Sequence, residues 1–585
     1  MFDETDQYQL ASASKTIEIR LPDGRVISGP RGTAVGFFLR KLPEWDNPPI
    51  VAAIINGDLR ELTYILDIDA WVQPVSMADM DGARLYRRSL TFLLEVAFED
   101  LYPQAALTVD HSVASGGFFC QVMERAPLSA SEICALEDRM RELVRMDIPF
   151  MKSQVPLAEA IAYFENKGMQ DKVRLLRYRQ KDHLVLYQLQ DHKDYHHGYM
   201  VPSTGFLKYF ALAPMGEGFV LRYTRRHSPM KLLPMPAYPK LLDTFRQYGA
   251  WLKRLGIESV GALNDAIAAG RSREVILVSE ALQEQKIADI AQQVVERANQ
   301  SRIVLIAGPS SSGKTTFSKR LAIQLLAQGL SPYPIELDNY FVNRDDTPVD
   351  ENGHYDFEAL GALNTGLLVD HLQRLVGGEE VQLPHYDFKN GHSEPGDIVR
   401  LRNDQLIILE GIHGLNPNLL PNIPLQETFR IYVSCLTQLN LDRHNRISTT
   451  DTRLLRRIVR DARDRGYSAL QTVSRWESVR RGEKTHIFPY QENADAMFNS
   501  ALVYELSALK LLAEPLLRQV PYGTMEHIEA KRLLAFLEWF QPIPEDLIPD
   551  NSILREFIGG SILKEFKLWE SPADFFSIHR NGNGG

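Results

Sequence analysis

The stretch that decides the fold is IVLIAGPSSSGKTTFSKRLAI, residues 303–323. An uninterrupted apolar run, IVLIA, reads as a buried strand. A loop with glycines at 308 and 313 follows, then Lys314 and Thr315. Such glycines let the backbone curl until several N–H groups point inward at phosphate oxygens. The helix that starts at the loop adds its positive end. Gly308, Ser310, Ser311, Ser312, Gly313, Lys314, Thr315 and Thr316 are therefore the expected nucleotide-binding residues. Lys314 can reach the outer phosphates, and the Thr315 hydroxyl can hold Mg²⁺.

Working outward, the pattern from 302 onward alternates strand and helix, which predicts a parallel sheet covered by helices. YPIELD, QLIILEG and FRIYVS are the companion strands. Helices are expected over 314–328, 358–376, 438–446, 452–464 and 501–513. A phosphate loop does not separate kinase from ATPase or GTPase. The chain has no NKxD-type guanine reader, which speaks against a GTPase. The strand YPIELD ends in Asp338, and QLIILE ends in Glu410. A carboxylate at Asp338 can take the proton of an attacking hydroxyl or orient Mg²⁺. Glu410 is placed to act on the metal's water shell. DTRLLRRIVRDARDRGY, residues 451–467, spaces arginines by three and four, so that Arg453, Arg457 and Arg460 share one helix face. That predicts a lid that carries positive charge to transferring phosphate.

Ahead of the loop lie three hundred residues. TIEIRLPDGRVISGP and IVAAIINGDLRELTYIL read as hairpins with Pro-Asp-Gly and Asn-Gly turns, in a small α+β domain at 15–77. Helical period marks 84–102, 130–146 and 157–167. A proline-rich connector follows at 228–245. The helix at 279–299 is expected to start on Ser279 as its N-cap. The 585 residues are too many for one core. A net charge of −10 argues against a general nucleic-acid binder. Three scattered cysteines form no metal pair or disulfide framework, which fits a reducing cytoplasm.

GPSSSGKTT, LDNYF, HYDFEAL, PHYDFKNGHS, ILEGIHGL and DTRLLRRIVRDARDRG stand in the order and spacing of one known group. Residues 301–520 resemble the uridine kinase and phosphoribulokinase family of P-loop kinases. The resemblance implies ATP and Mg²⁺ as cofactors, with Asp338 and Lys314 catalytic and Thr315, Glu410 and Asp338 organising the metal. Asp356 would hold ribose hydroxyls, with Arg457 assisting and Tyr340 and Tyr355 beside it. Tyr386 and His392 would line the base pocket, and Arg460 and Arg465 would contact ATP phosphates. Between Tyr386 and His392 there is one residue more than in uridine kinases, and Tyr467 stands where a second arginine is common. Both departures touch the base pocket.

LYRRSLTFLLEVAFEDLYP, HSVASGGFFCQV and GYMVPSTGFL resemble the front of threonyl-tRNA synthetases. Residues 15–77 are similar to the TGS domain and 78–227 to the editing domain. The editing positions hold Arg88, Phe92, His196 and Met200, so the hydrolytic metal site is expected to be lost. His192, His196 and His197 read as an exposed turn. A helical connector (228–300) and a helical tail (521–585) complete the expected architecture, which is α/β overall. The expected function is ATP-dependent phosphorylation of a small hydroxylated molecule, above all the 5′ hydroxyl of a nucleoside. A sugar-phosphate kinase and a nucleotide- or RNA-sensing regulator are the alternatives. No membrane segment is expected. RNA would bind only through the TGS-like module, and the family implies self-association.

Overall fold

The computed structural model describes residues 14–113, 116–349, 353, 355–387, 389–402 and 405–566. The chain divides into two units. One comprises the residues up to Pro236 together with Asn440–Arg446 and Val520–Phe536. The other comprises Ala237–Leu439, Ile447–Gln519 and the chain from Leu537 onward.

The second unit is built on a five-stranded parallel sheet. Its order is Ser331–Glu336, Gln405–Glu410, Ile303–Ala307, Thr428–Ser434 and Ala496–Asn499. The apolar run 303–307 is buried along its whole length, as expected for a central strand covered on both faces. Ile306 pairs with Glu410 on one side and Ile431 on the other, and Glu336 pairs with Glu410. Parallel pairing places the ends of these strands along one edge. The phosphate loop, Asp338 and Glu410 leave the sheet there, the edge where open α/β sheets bind ligands.

Three local expectations differ from the structure. No helix forms at 438–446. Asp442 Oδ1 accepts from the backbone N–H groups of His444 (2.9 Å) and Asn445 (3.0 Å), a side-chain turn that competes with helix formation. The helix expected at 358–376 starts at Thr365, capped by the Asn364 side chain. The helix expected from Ser279 runs Ser272–Arg297. Ser279 is buried inside it, with its hydroxyl donating to Val275 O at 2.6 Å. PHYDFKNGHS forms an antiparallel hairpin, Glu380–Asp387 with His392–Arg400, and pairs Tyr386 with Ser393 and Asp387 with His392.

The first unit opens with a five-stranded sheet around Ile19, Val35, Leu39 and Val72. Its Asn56-Gly57 turn has both residues at positive φ (50° and 86°), as a tight hairpin of this type requires. A four-stranded sheet follows, ordered Phe210–Met215, Gly218–Tyr223, Gly117–Met123 and Ala106–Val113. The helices Met80–Leu101 and Ala130–Arg145 share one core with it through Leu90, Phe98, Leu136 and Phe219. Ser129 and Glu132 form a capping box at the start of the second helix.

Candidate functional site

The phosphate loop closes where side chains would not fit. A Cβ on Gly308 would meet Val433 O at 1.9 Å, and Gly313 sits at φ +85° as the residue that starts the helix Lys314–Ala327. Ser311 and Ser312 are buried. Two carboxylates already lie on the loop's donors. Ser310 N–H donates to Glu483 Oε1 at 3.0 Å, and Thr316 N–H donates to Glu556 Oε2 at 3.0 Å. The loop thus holds anionic oxygens, and its residues fit a phosphate chain.

Lys314 turns its ammonium onto Gly308 O (3.0 Å) and Pro309 O (3.2 Å). Burial lowers its pKa, while Glu410, Glu556 and Asp338 oppose that shift. Thr315 donates its hydroxyl to Glu410 Oε1 at 2.9 Å. Burial pushes the Glu410 carboxyl up to about 7 against the pull of Lys314 and Thr315. A hydroxyl and a carboxylate brought together are hard oxygen donors, which suit Mg²⁺. Asp338 lies in the single turn Leu337–Tyr340 after its strand. Its residue opens to solvent, yet enough chain surrounds the carboxyl to raise its pKa. Glu336 adds to the rise, and Lys314 and Arg465 oppose it. Asp338 and Lys314 are close enough that each charge shifts the other's ionisation.

The arginine helix expected as a lid runs Thr449–Asp464 and turns part of its charge inward. Arg453 and Arg456 are fully buried. Arg453 pairs with Glu483 and donates to Ser310 O at 2.9 Å. Arg456 pairs with Glu505 at 2.6 Å and reaches Ser311 O at 3.4 Å. Both brace the loop from behind. Arg457, Arg460 and Arg465 gather on Asp461 at 3.2–3.3 Å, and Arg457 also donates to Ser310 Oγ at 2.8 Å.

The residues expected at the acceptor are spread. Tyr340 is a core residue whose hydroxyl lies 3.2 Å from His371 Nδ1. Tyr386 is buried beside Phe341 with ring centroids 5.5 Å apart, whereas His392 is exposed. Tyr355 is exposed, and half-buried Asp356 accepts from Glu358 N–H at 3.1 Å. Glu358, Glu483 and Glu556 escaped the reading of the sequence. Burial raises Glu358 to about 7, with Glu483 and Asp338 adding to the rise and Arg457 and Lys314 opposing it. A glutamate in HYDFEAL carries no pattern of its own that would have singled it out.

In the first unit, His196 is buried, not exposed, and packs on Phe92 with ring centroids 5.1 Å apart. His192 and His197 are half-buried. Among the described residues Glu95, Asp194 and His196 offer metal-type ligand atoms within 4.8 Å of one another. Protein charge balances them. Lys172 lies 2.9 Å from Asp194 and 3.0 Å from Asp442, and His444 lies 2.8 Å from Asp194 and 3.2 Å from Glu95. Burial alone would lower the His444 pKa, but Glu95 and Asp194 carry it up to about 9 despite Lys172. Stability from this imidazolium is complete below the ordinary histidine value near 6.5 and fades as pH rises through about 9. The denaturation midpoint should therefore fall between pH 6 and pH 9.5, and the fall should shrink in His444→Gln. An equal fall in that variant would remove His444 from the account.

Residues 303–507 match the model of the Phosphoribulokinase / Uridine kinase family. Among curated proteins, the threonine–tRNA ligase of Laribacter hongkongensis is 30% identical over 243 residues, 41% of this chain and 36% of that protein. The ligase of Polaromonas naphthalenivorans is 31% identical over 211 residues, 35% of this chain and 32% of that protein. The chain thus spans about a third of the length of these ligases. Among solved structures, a "Possible Uridine Kinase" from Bacillus stearothermophilus is 19% identical at a TM-score of 0.26, over 37% of this chain and 98% of that one. D-glycerate 3-kinase from Cryptococcus neoformans var. grubii is 15% identical at a TM-score of 0.25, over 36% and 89%. Among the described residues no helix is long and apolar enough to cross a membrane. Residues 303–507 thus match the Phosphoribulokinase / Uridine kinase family of kinases, and the N-terminal region of the chain matches threonine–tRNA ligases.

Proposed function

We propose that the chain transfers the γ-phosphoryl group of ATP to a hydroxyl of a small molecule, foremost the 5′ hydroxyl of a nucleoside. The observation that carries this reading is the meeting of Lys314 and Asp338 at one sheet edge, each within the other's field. ATP with Mg²⁺ supplies the phosphoryl group and an electrophilic phosphorus when bound. The loop N–H groups and Lys314 hold the phosphate oxygens, and Thr315 with Glu410 hold the metal. Asp338 accepts the proton of the acceptor hydroxyl as its oxygen bonds to phosphorus and ADP departs. A carboxyl with a raised pKa is a better proton acceptor than an ordinary one. Arg460 and Arg465 add positive charge near the transferring group. Asp356 offers a carboxylate to a vicinal diol.

The matched family spans nucleoside and sugar-phosphate acceptors. The test offers uridine, cytidine, adenosine and ribulose 5-phosphate one at a time with Mg·ATP and follows ADP. Nucleoside-dependent ADP is the expected result. ADP formed only with the sugar phosphate would move the acceptor to the second class, and ADP independent of every acceptor would overturn the kinase reading.

A further inference from the structure

The segment Ser552–Leu563, which carries the short helix Arg555–Ile558, lies on the phosphate loop within the same unit. A Cβ on Gly313 would stand 2.5 Å from Ile553 Cγ2, so this chain touches the loop's own glycine. Glu556 Oε2 accepts from Thr316 N–H at 3.0 Å. Thr316 sits in the first turn of the loop helix, where unpaired N–H groups and the helix dipole receive phosphate. Ile553, Leu554 and Phe557 are fully buried. Phe557 packs under the Arg456 guanidinium at 4.9 Å. Arg463 donates to Glu556 O at 3.2 Å, and Lys319 donates to Leu563 O at 2.7 Å. Arg555 ties the segment to the preceding chain through Ile548 O at 2.6 Å and to itself through Gly559 O at 3.2 Å.

We propose that Ser552–Leu563 is an autoinhibitory strap in which the Glu556 carboxylate occupies a phosphate seat of the nucleotide site. The proposal rests on the reading of residues 308–316 as that site. One N–H cannot serve a carboxylate and a phosphate oxygen together, and two anions at this spacing repel. Lys314, folded back onto the carbonyls of Gly308 and Pro309, is the companion feature of a loop in its closed state. Mg·ATP opens the strap by competition, because several phosphate oxygens outbid one carboxylate for the loop donors and Lys314. The strap therefore raises the nucleotide concentration needed to fill the site by the inverse of the open fraction. A plainer role exists, that of a tertiary helix cap. A cap would lend stability and leave nucleotide affinity alone.

The two roles part in one experiment on the full chain. Calorimetric titration with Mg·ATP compares the wild type with Glu556→Gln and Glu556→Ala. A strap closed ten to one in the free protein predicts a dissociation constant lower by about tenfold in both variants. In the wild type, hydrogen exchange of the 552–563 amides should speed up when Mg·ATP is added. Unchanged or weaker affinity in both variants overturns the strap, as does added protection of 552–563 by nucleotide. If the variants fail to fold, exchange in the wild type decides. Failure of the wild type and of both variants to bind Mg·ATP at millimolar concentration would overturn the nucleotide site and the strap with it. Binding at unaltered affinity overturns the strap alone.

Discussion

Asp338→Asn should bring phosphorylation down by about 10²–10⁴-fold while the affinity for Mg·ATP stays within a factor of about two. Asparagine keeps the size of the side chain and removes its ability to take a proton. The residue stands in the turn Leu337–Tyr340, apart from the N–H groups that make up the loop. Nucleotide binding should therefore be spared. Its raised pKa gives the sign of the pH dependence. Turnover should fall as acid protonates the carboxyl, and that limb should begin above the ordinary aspartate range. The checks are steady-state turnover against pH and an independent titration with nucleotide. Turnover close to wild type in Asp338→Asn would take the residue out of the proton's path.

Lys172→Met should destabilise the first unit by about 3–5 kcal/mol. The Lys172 ammonium is buried between Asp194 and Asp442 at 2.9 and 3.0 Å. Burial alone would lower its pKa, and the two carboxylates carry it well above the ordinary lysine value. Methionine keeps most of the volume, strips Asp442 of the buried ammonium and leaves Asp194 with the His444 imidazolium alone. Removing one partner of a buried pair costs far more than exchanging the whole pair for apolar groups. Lys172→Met combined with Asp442→Leu should accordingly recover part of the loss. Chemical denaturation followed by far-ultraviolet circular dichroism reads both variants. A loss below about 1 kcal/mol in the single variant would mean the site is reached by water.

The parts legible in the sequence are those written in one local pattern. The loop 308–316 declares itself through two glycines, a lysine and two threonines. Asp338 and Glu410 stand out because each closes an apolar run, and parallel pairing brings such ends to one edge. The parts that were not legible depend on distant partners. Lys172 and Asp442 are 270 residues apart, and nothing local at either position announces the other. The helix expected at 438–446 failed because Asp442 turns its Oδ1 onto the backbone N–H groups of 444 and 445. Arg453 and Arg456 follow the spacing of a charged helix face, yet Glu483 and Glu505 draw them into the interior. Glu556 lies 240 residues beyond Thr316, in a tail whose composition says nothing of anions.

The most direct test of the account follows labelled phosphate from γ-³²P ATP in the full-length protein, with a nucleoside present or absent. The expected result is label on the nucleoside, with transfer that needs both the acceptor and the Asp338 carboxylate. Label that passes to water at the same rate whether or not an acceptor is present, and equally in Asp338→Asn, would contradict it.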